Sequence, residues 1–138
     1  MRQHQAVIEV ATEGRDFVDV TARVEEVVLA SGVRTGIALV FCRHTSASLL
    51  IQENYDPAVR RDLERWFDRL APEGAGYEHD DEGEDDMPSH LRAALTRTSE
   101  TIPVADGRLA LGQWQALWLL EHRRRAHRRE LIVQVTGE

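Results

Sequence analysis

A run of carboxylates in the middle of the chain constrains the fold more than any other feature of the sequence. Seven acidic residues stand between Glu78 and Asp86, with His79 near one end and His90 just beyond the other. Such a run is usually a solvated, self-repelling loop. This one lies between two helix-like segments, carries histidines, which are common metal ligands, and leads into Met-Pro-Ser-His, a typical helix start. We therefore predict a functional loop inside one folded unit.

The length and composition are those of a single globular domain covering residues 1–138. Hydrophobic residues make up 42% of the chain and charged residues 30%, both ordinary values for such a domain. No apolar stretch approaches the ~20 residues of a membrane-spanning helix. The N-terminus has no signal-peptide pattern, and the single cysteine, Cys42, excludes an intramolecular disulfide and a multi-cysteine zinc site. We expect a cytoplasmic protein that does not bind membranes.

The negative charge of the chain belongs to the acidic run. The net charge is −7, from 24 acidic and 17 basic residues. Without the seven acids of the run, acids and bases balance. A basic run from His122 to Arg129 has no interleaved aromatic residues, so we do not expect nucleic-acid binding. It is interpreted as a solvated hairpin turn, or as a partner for the acidic loop of a neighbouring chain.

The spacing of apolar residues predicts an α+β domain with a largely antiparallel sheet and about three helices. Residues 36–42 are apolar on both faces and are interpreted as a central buried strand. Thr21 is expected to cap one helix, and Asp56 with Pro57 to start another. Residues 113–121 favour a long buried strand over a helix. The predicted strands are 5–12, 17–20, 36–42, 49–51, 102–104, 109–111, 113–121 and 131–136, and the predicted helices are 21–30, 57–70 and 89–96.

Polar residues follow the central strand directly. His44 stands beside the hydroxyls of Thr45, Ser46 and Ser48, which could bind a metal or a phosphate together with loop amides. The alternative is a turn in which the hydroxyls bond their own backbone. A Cys42–His44 nucleophile pair is conceivable, but a cysteine that ends an apolar run is usually a small buried hydrophobe.

The histidines are the strongest candidates for a metal site. The spacing of His79 and His90 fits neither a zinc finger nor the helical His-Glu-x-x-His pattern, so the case rests on residue types. Imidazoles suit zinc, and carboxylates extend the choice to magnesium or manganese. We predict that His44, His79, His90 and His122 converge and that at least two of them bind a divalent metal ion. Asp86 is expected to be a ligand or to orient an imidazole.

Several blocks of residues resemble the YjbQ family, whose members are described as having a secondary thiamine-phosphate synthase activity. The resemblance covers essentially the whole chain. One difference is Gln113, where the family usually has threonine. The blocks are His44-Thr45-Ser46-Ala47-Ser48, Gln52-Glu53-Asn54, Asp85-Asp86-Met87-Pro88-Ser89-His90, Ser99-x-x-Ile102-Pro103-Val104-x-x-Gly107, Leu111-Gly112-Gln113-Trp114-Gln115 and Glu121-His122-Arg123.

The resemblance implies a compact α+β domain that forms a homotrimer. It also implies an enzyme that joins a pyrimidine diphosphate to a thiazole phosphate and releases pyrophosphate, and we expect a metal to assist that reaction. Two alternatives stay open: a metal- or metabolite-binding homotrimer without essential turnover, and a metal-dependent phosphate hydrolase. The candidate residues are His44, Asp86 and His90 for catalysis, Arg43, Thr45, Ser46, Asn54 and Gln115 for the substrate and its phosphates, and His44, His79, His90 and His122 for the metal.

Overall fold

Strands dominate the computed structural model, which describes residues 1–138. None of the three helices is long and apolar enough to cross a lipid bilayer. In chain order the elements are β1 (Arg2–Thr12), β2 (Asp16–Asp19), α1 (Thr21–Ser31), β3 (Gly36–Cys42), β4 (Ala47–Glu53), α2 (Pro57–Leu70), α3 (Asp86–Leu95), β5 (Ser99–Ala105), β6 (Arg108–Leu109), β7 (Gln115–Glu121) and β8 (His127–Gly137).

The strands form two antiparallel sheets that share a core. The larger sheet has the order β1-β8-β3-β5-β6 and the smaller one the order β2-β7-β4. Val40 and Val133 of the larger sheet belong to the same buried cluster as Leu117 and Leu119 of the smaller one, together with Val24 of α1. The predicted α+β class with an antiparallel sheet is therefore confirmed.

Strand β7 is buried on both faces, as its sequence predicts. Leu117 and Leu119 point into the core between the sheets. Trp118 and Leu120 point to the other side and pack against Phe67 of α2. Helix α2 therefore forms a third layer over the smaller sheet. Its start agrees with the sequence, because the side chain of Asp56 accepts a hydrogen bond from the backbone N–H of Ala58 at 2.9 Å.

Two local predictions are wrong. Thr21 does not cap α1; it is the first helical residue, and its hydroxyl accepts a hydrogen bond from the backbone N–H of Leu117 at 2.9 Å instead. Strand β3 is buried on one face only: Ala38 and Val40 are in the core, whereas Ile37 and Phe41 are 48% and 43% exposed. The strand is central in its sheet, but the outer face of that sheet has no covering layer within the chain.

The acidic run lies where the site is built. Residues 78–85 form an irregular connection, and Asp86 begins helix α3 three residues earlier than predicted. Strand β7 ends at Glu121 and the basic turn of residues 122–126 follows it. Arg123 and the backbone N–H of Arg124 both donate to Asp85, so the acidic connection and the basic turn lie at the same end of the molecule. Their contacts define the candidate site.

Candidate functional site

His79, Asp86 and His90 form a cluster of potential metal ligands. One nitrogen of each imidazole and one carboxylate oxygen of Asp86 all lie within 4.8 Å of one another. The Nε2 atom of His79 is 2.7 Å from Oδ2 of Asp86, and the Nε2 atom of His90 is 3.3 Å from the same oxygen. Asp86 and His90 share a face because they are four residues apart on α3. His79 reaches them from the acidic connection.

The ring of His90 is oriented by a backbone carbonyl. Its Nδ1 atom is 3.0 Å from the carbonyl oxygen of Thr45, and a carbonyl only accepts hydrogen bonds, so Nδ1–H is the donor. In the neutral ring the lone pair is then on Nε2, which faces the carboxylate of Asp86. Two acceptors 3.3 Å apart repel each other unless a proton or a cation lies between them.

Opposing influences set the protonation of the cluster. Burial raises the pKa of Asp86, but the hydrogen bond with His79 and the charges of His90 and Arg123 outweigh burial and hold that pKa below its ordinary value. The hydrogen bond with Asp86 in turn raises the pKa of His79. Asp86 is therefore an anion at neutral pH, as a ligand to a cation must be.

Arg123 connects the acidic connection to the end of β7. Its Nη1 atom donates to Oδ1 of Asp86 at 2.9 Å and its Nε atom to Oδ2 of Asp85 at 3.0 Å. Its Nη2 atom donates to the carbonyl oxygen of Glu82 at 2.9 Å. In the sequence, Arg123 stood out only as part of a family motif and of the basic run, and was not predicted as a site residue. Within one chain this basic residue pairs with the acidic loop, so it is not part of a purely solvated turn.

A buried ion pair lies beneath this contact. Glu121 accepts hydrogen bonds from Nε of Arg129 at 2.8 Å, from the hydroxyl of Thr12 at 2.6 Å and from the backbone N–H of Arg123 at 3.1 Å. Burial raises the pKa of Glu121, but these hydrogen bonds together hold it below its ordinary value. Arg129 also donates to the hydroxyl oxygen of Ser46 at 3.0 Å. Ser46 accepts in this contact, which leaves its O–H as a donor, so its phosphate contact stays a prediction.

An open cleft of about 540 Å³ is lined by Thr45, whose carbonyl binds the ring of His90, and by Ala94, one turn after His90 in α3. The cluster residues themselves do not line it. The cleft contains the predicted site residues Arg43, His44 and Thr45. A larger depression of about 880 Å³ beside α1 has no histidine. Two depressions that contain His79 are lined by carboxylates of the acidic connection, which would repel a phosphate, so the cleft beside Thr45 is the better substrate site. Its walls are Phe41, Cys42, Arg43, His44, Thr45, Ala93, Ala94 and Thr98.

The prediction that four histidines converge needs correction, because His44 and His122 have other partners. The Nε2 atom of His44 accepts a hydrogen bond from the backbone N–H of Glu130 at 2.8 Å, which occupies that lone pair. The Nε2 atom of His122 lies 2.8 Å from the hydroxyl of Ser48 in a buried position. Burial lowers the pKa of His122 to about 3, so this ring is neutral. Strand-end positions alone did not reveal which way these rings point.

Asn54 and Gln115 lie at the other end of the smaller sheet. In the β4–β7 pair, Glu53 is opposite Gln115, whereas Ala47 is opposite Glu121. Six residue steps along a strand correspond to about 20 Å, so within one chain these two residues do not reach the cleft. Asn54 donates from Nδ2 to the carbonyl oxygen of Gln113 at 3.2 Å. Gln113 thus contributes its backbone carbonyl to the contacts of Asn54.

Cys42 is a buried hydrophobe, as the sequence favours. Its side chain is in the core, and burial raises its pKa to about 11. The thiolate required for nucleophilic attack is therefore strongly disfavoured at neutral pH. The cleft residues available for polar chemistry are consequently Arg43, His44, Thr45 and Thr98.

Comparison with known proteins places the chain among relatives of the same length. The UPF0047 protein YjbQ-like family matches residues 6–138. A UPF0047 protein of Synechocystis sp. is 54% identical over 99% of this chain and 94% of its own length. The UPF0047 protein YjbQ of Escherichia coli O157:H7 is 40% identical over 98% of this chain and 99% of its own length. The crystal structure of a hypothetical protein from Aeropyrum pernix K1 superposes with a TM-score of 0.88 at 29% identity, covering 97% of this chain and 98% of that one.

Proposed function

The chain belongs to the YjbQ-like UPF0047 family, and from that premise we propose that it is a metal-assisted enzyme acting on a small phosphorylated metabolite. The reaction we propose is the one that the family resemblance implies. A pyrimidine diphosphate and a thiazole phosphate are joined, and the bond to the diphosphate breaks so that pyrophosphate leaves with the electron pair.

The orientation of His90 is the observation that carries the proposal. Its Nδ1–H is committed to the carbonyl of Thr45, so its Nε2 faces an anionic carboxylate across a contact that needs a proton or a cation between the two atoms. A divalent ion bound by His79, Asp86 and His90 would take the place of that proton and contact both atoms. Ligand atoms about 2.1 Å from a tetrahedral ion are about 3.4 Å apart, close to the 3.3 Å between His90 and Asp86. The shorter contact of His79 with Asp86 would open to admit the ion.

The ligand set favours a catalytic site over a structural one. Three protein ligands leave at least one coordination position open, as catalytic zinc sites do. Two imidazoles and a carboxylate suit zinc, and the carboxylate also accommodates magnesium or manganese. An ion held there would supply Lewis-acid stabilisation of the negative charge on the leaving pyrophosphate.

The chain's own cleft residues bind and orient the phosphates in this proposal. Arg43 carries a charge at the cleft and is half-exposed, with Nη1 3.2 Å from a carboxylate oxygen of Glu130 that a phosphate would replace. In neutral His44 the proton is on Nδ1, since Nε2 is an acceptor, so this ring is a donor to the ligand. The hydroxyl of Thr45 adds a further donor.

We also propose that the protein is a homotrimer. The outer face of the larger sheet carries the exposed apolar residues Val7, Ile37 and Phe41, and an uncovered apolar face supports an interface between copies. Phe41 also lines the cleft, so a neighbouring chain on this face would close it. Such a neighbour could also bring the distant Asn54 and Gln115 to the site. Light scattering at micromolar concentration tests this; a stable monomer would contradict it.

Turnover assays test the proposed activity. The metal-loaded chain, the metal-free chain and the His90→Ala variant are incubated with both thiamine precursors, and separately with generic phosphate esters. We expect pyrophosphate release and thiamine phosphate formation only from the metal-loaded wild type. Phosphate release from esters alone would favour a hydrolase that uses the open coordination position for water. Metal binding without any turnover would favour a storage or sensing trimer.

A further inference from the structure

We propose that Arg123 is a positioning residue, which fixes the carboxylate of Asp86 so that one oxygen is presented to His79 and His90. This inference rests on the proposed metal site and deepens it. The side chain of Asp86 is only 3% exposed and has two oxygens with different partners. Oδ1 accepts from Arg123, and Oδ2 faces both imidazoles. The orientation of this carboxylate therefore decides whether the three ligand atoms meet.

The planar guanidinium of Arg123 holds three separate points of the acidic segment. Its Nε, Nη1 and Nη2 atoms donate to Asp85, Asp86 and the carbonyl of Glu82. This arrangement needs a rigid fork of donors, which lysine lacks because its ammonium is a single point. It also opposes the mutual repulsion of the acidic side chains.

The backbone of Arg123 is held in place by the end of β7. Its backbone N–H donates to Glu121 at 3.1 Å, and Glu121 is held by the buried pair with Arg129. The next backbone N–H, of Arg124, donates to Oδ2 of Asp85 at 2.9 Å. The end of β7 therefore fixes the position of Arg123, and Arg123 fixes Asp86, through side chains that are buried or nearly so. Partners of metal ligands act in this way by fixing ligand orientation.

Without Arg123 the carboxylate of Asp86 loses this restraint. Its Oδ1 atom would be buried without its guanidinium partner, and rotation of the carboxylate would move Oδ2 away from the imidazoles. If Arg123 had a purely structural role, it would stabilise the fold, and its loss would leave the ligand geometry unchanged. The two roles differ in the coordination geometry of a bound ion.

Cobalt titration of the full chain separates these roles. The probe is Co²⁺, whose visible d–d absorption reports its coordination geometry, and the variants are Arg123→Lys and Arg123→Gln. Arg125→Gln is the matched control because Arg125 is an exposed arginine of the same turn. We expect the control to match the wild type. Both Arg123 variants should bind Co²⁺ about 10–100-fold more weakly, the range for loss of an outer partner, with an altered visible spectrum.

Thermal unfolding of the metal-free proteins accompanies the titration, and Arg123→Lys decides the matter if Arg123→Gln fails to fold. A folded Arg123→Lys chain with the affinity and spectrum of the wild type would overturn the inference. Weaker binding with an unchanged spectrum would also overturn it, because the ligand geometry would then be intact. If the wild type itself fails to bind Co²⁺, the metal site is wrong and the inference falls with it. That outcome is distinct, since it appears before any variant is compared.

Discussion

His90 and His122 both contact the segment of Thr45 and Ser46, but their rings have different partners. His90 is held by the carbonyl of Thr45 and is 30% exposed, with its second nitrogen facing the carboxylate of Asp86. His122 is buried, and its Nε2 atom faces the hydroxyl of Ser48, which can donate or accept. The hydroxyl therefore gives Nε2 of His122 a hydrogen-bond partner within the protein. The comparison shows that the group facing a ring nitrogen, more than its place in the sequence, separates a candidate ligand from a structural histidine.

The hydroxyl of Ser48 belongs to a short, partly buried chain of hydrogen bonds. Thr96 is linked to it by a contact of 2.5 Å between their hydroxyl oxygens. The ring of His122 also stands edge-on to Phe67, with centroids 6.1 Å apart. These contacts give His122 a packing role between β7, β4 and α2. Variants at His122, His90 and Ser48 test the contrast between His122 and the cluster.

The largest expected effect is the pH dependence that His122 confers on stability. Its pKa is about 3 in the folded chain, against about 6.5 unfolded. Between these values the unfolded chain binds a proton that the folded chain does not, so the unfolding free energy falls as the pH falls. From pH 7.5 to 4.5 this amounts to about 3 kcal/mol at about 1.4 kcal/mol per unit. Urea unfolding of the wild type and of His122→Asn at both pH values measures it.

His79 has the opposite sign in the same experiment. Its raised pKa contributes stability that is fully present below about pH 6.5 and is lost as the pH rises through the folded pKa. This exposed ring is common to both proteins, so the difference between the wild type and His122→Asn isolates His122. Equal pH slopes in the two proteins would show that His122 is not buried in neutral form.

The second prediction concerns metal affinity. His90→Ala removes a proposed ligand, and we expect Zn²⁺ to bind about 100-fold more weakly, at or above the upper end for loss of an outer partner. Replacing His122 removes no ligand, so His122→Asn should retain wild-type affinity. Calorimetric titration of the folded variants with Zn²⁺ measures both. Equal losses at the two positions would remove the distinction between them.

The smallest effect is expected at Ser48. Ser48→Ala removes the hydroxyl that joins His122 to Thr96, and leaving buried polar groups unpaired costs about 1–3 kcal/mol. We expect a loss of about 1.5 kcal/mol in unfolding free energy with unchanged zinc affinity, since Ser48 does not contact the cluster. Urea unfolding and zinc titration of one preparation test this. A drop in zinc affinity without a drop in stability would place Ser48 in the site.

Much of the fold follows from local patterns in the sequence. The antiparallel α+β class comes from short alternating segments, and Asp56 with Pro57 marks the start of α2 because capping is a local contact. The uncovered face of β3 could not be predicted in this way. Ile37 and Phe41 have the same apolar character as the core residues between them, and the layers around the sheet depend on the whole chain.

The candidate site was predictable only where its residues are close together in the sequence. His79, Asp86 and His90 lie within a dozen residues, so residue types and a helix start indicated their grouping. Arg123 joins Asp86 across 37 positions, and although it ends the block Glu121-His122-Arg123, nothing in the sequence indicated its partner. The directions of His44 and His122 likewise depend on strand pairing and burial, which the spacing of single residues does not give.

Anomalous diffraction from crystals of the zinc-loaded protein, recorded at the zinc edge, tests the central claim most directly. The account predicts one strong peak per chain, about 2.0–2.2 Å from Nε2 of His79, Oδ2 of Asp86 and Nε2 of His90. Neither His44 nor His122 should contact it. A peak bound by either of those histidines, or the absence of any peak at His79, Asp86 and His90 in fully loaded crystals, would contradict the account.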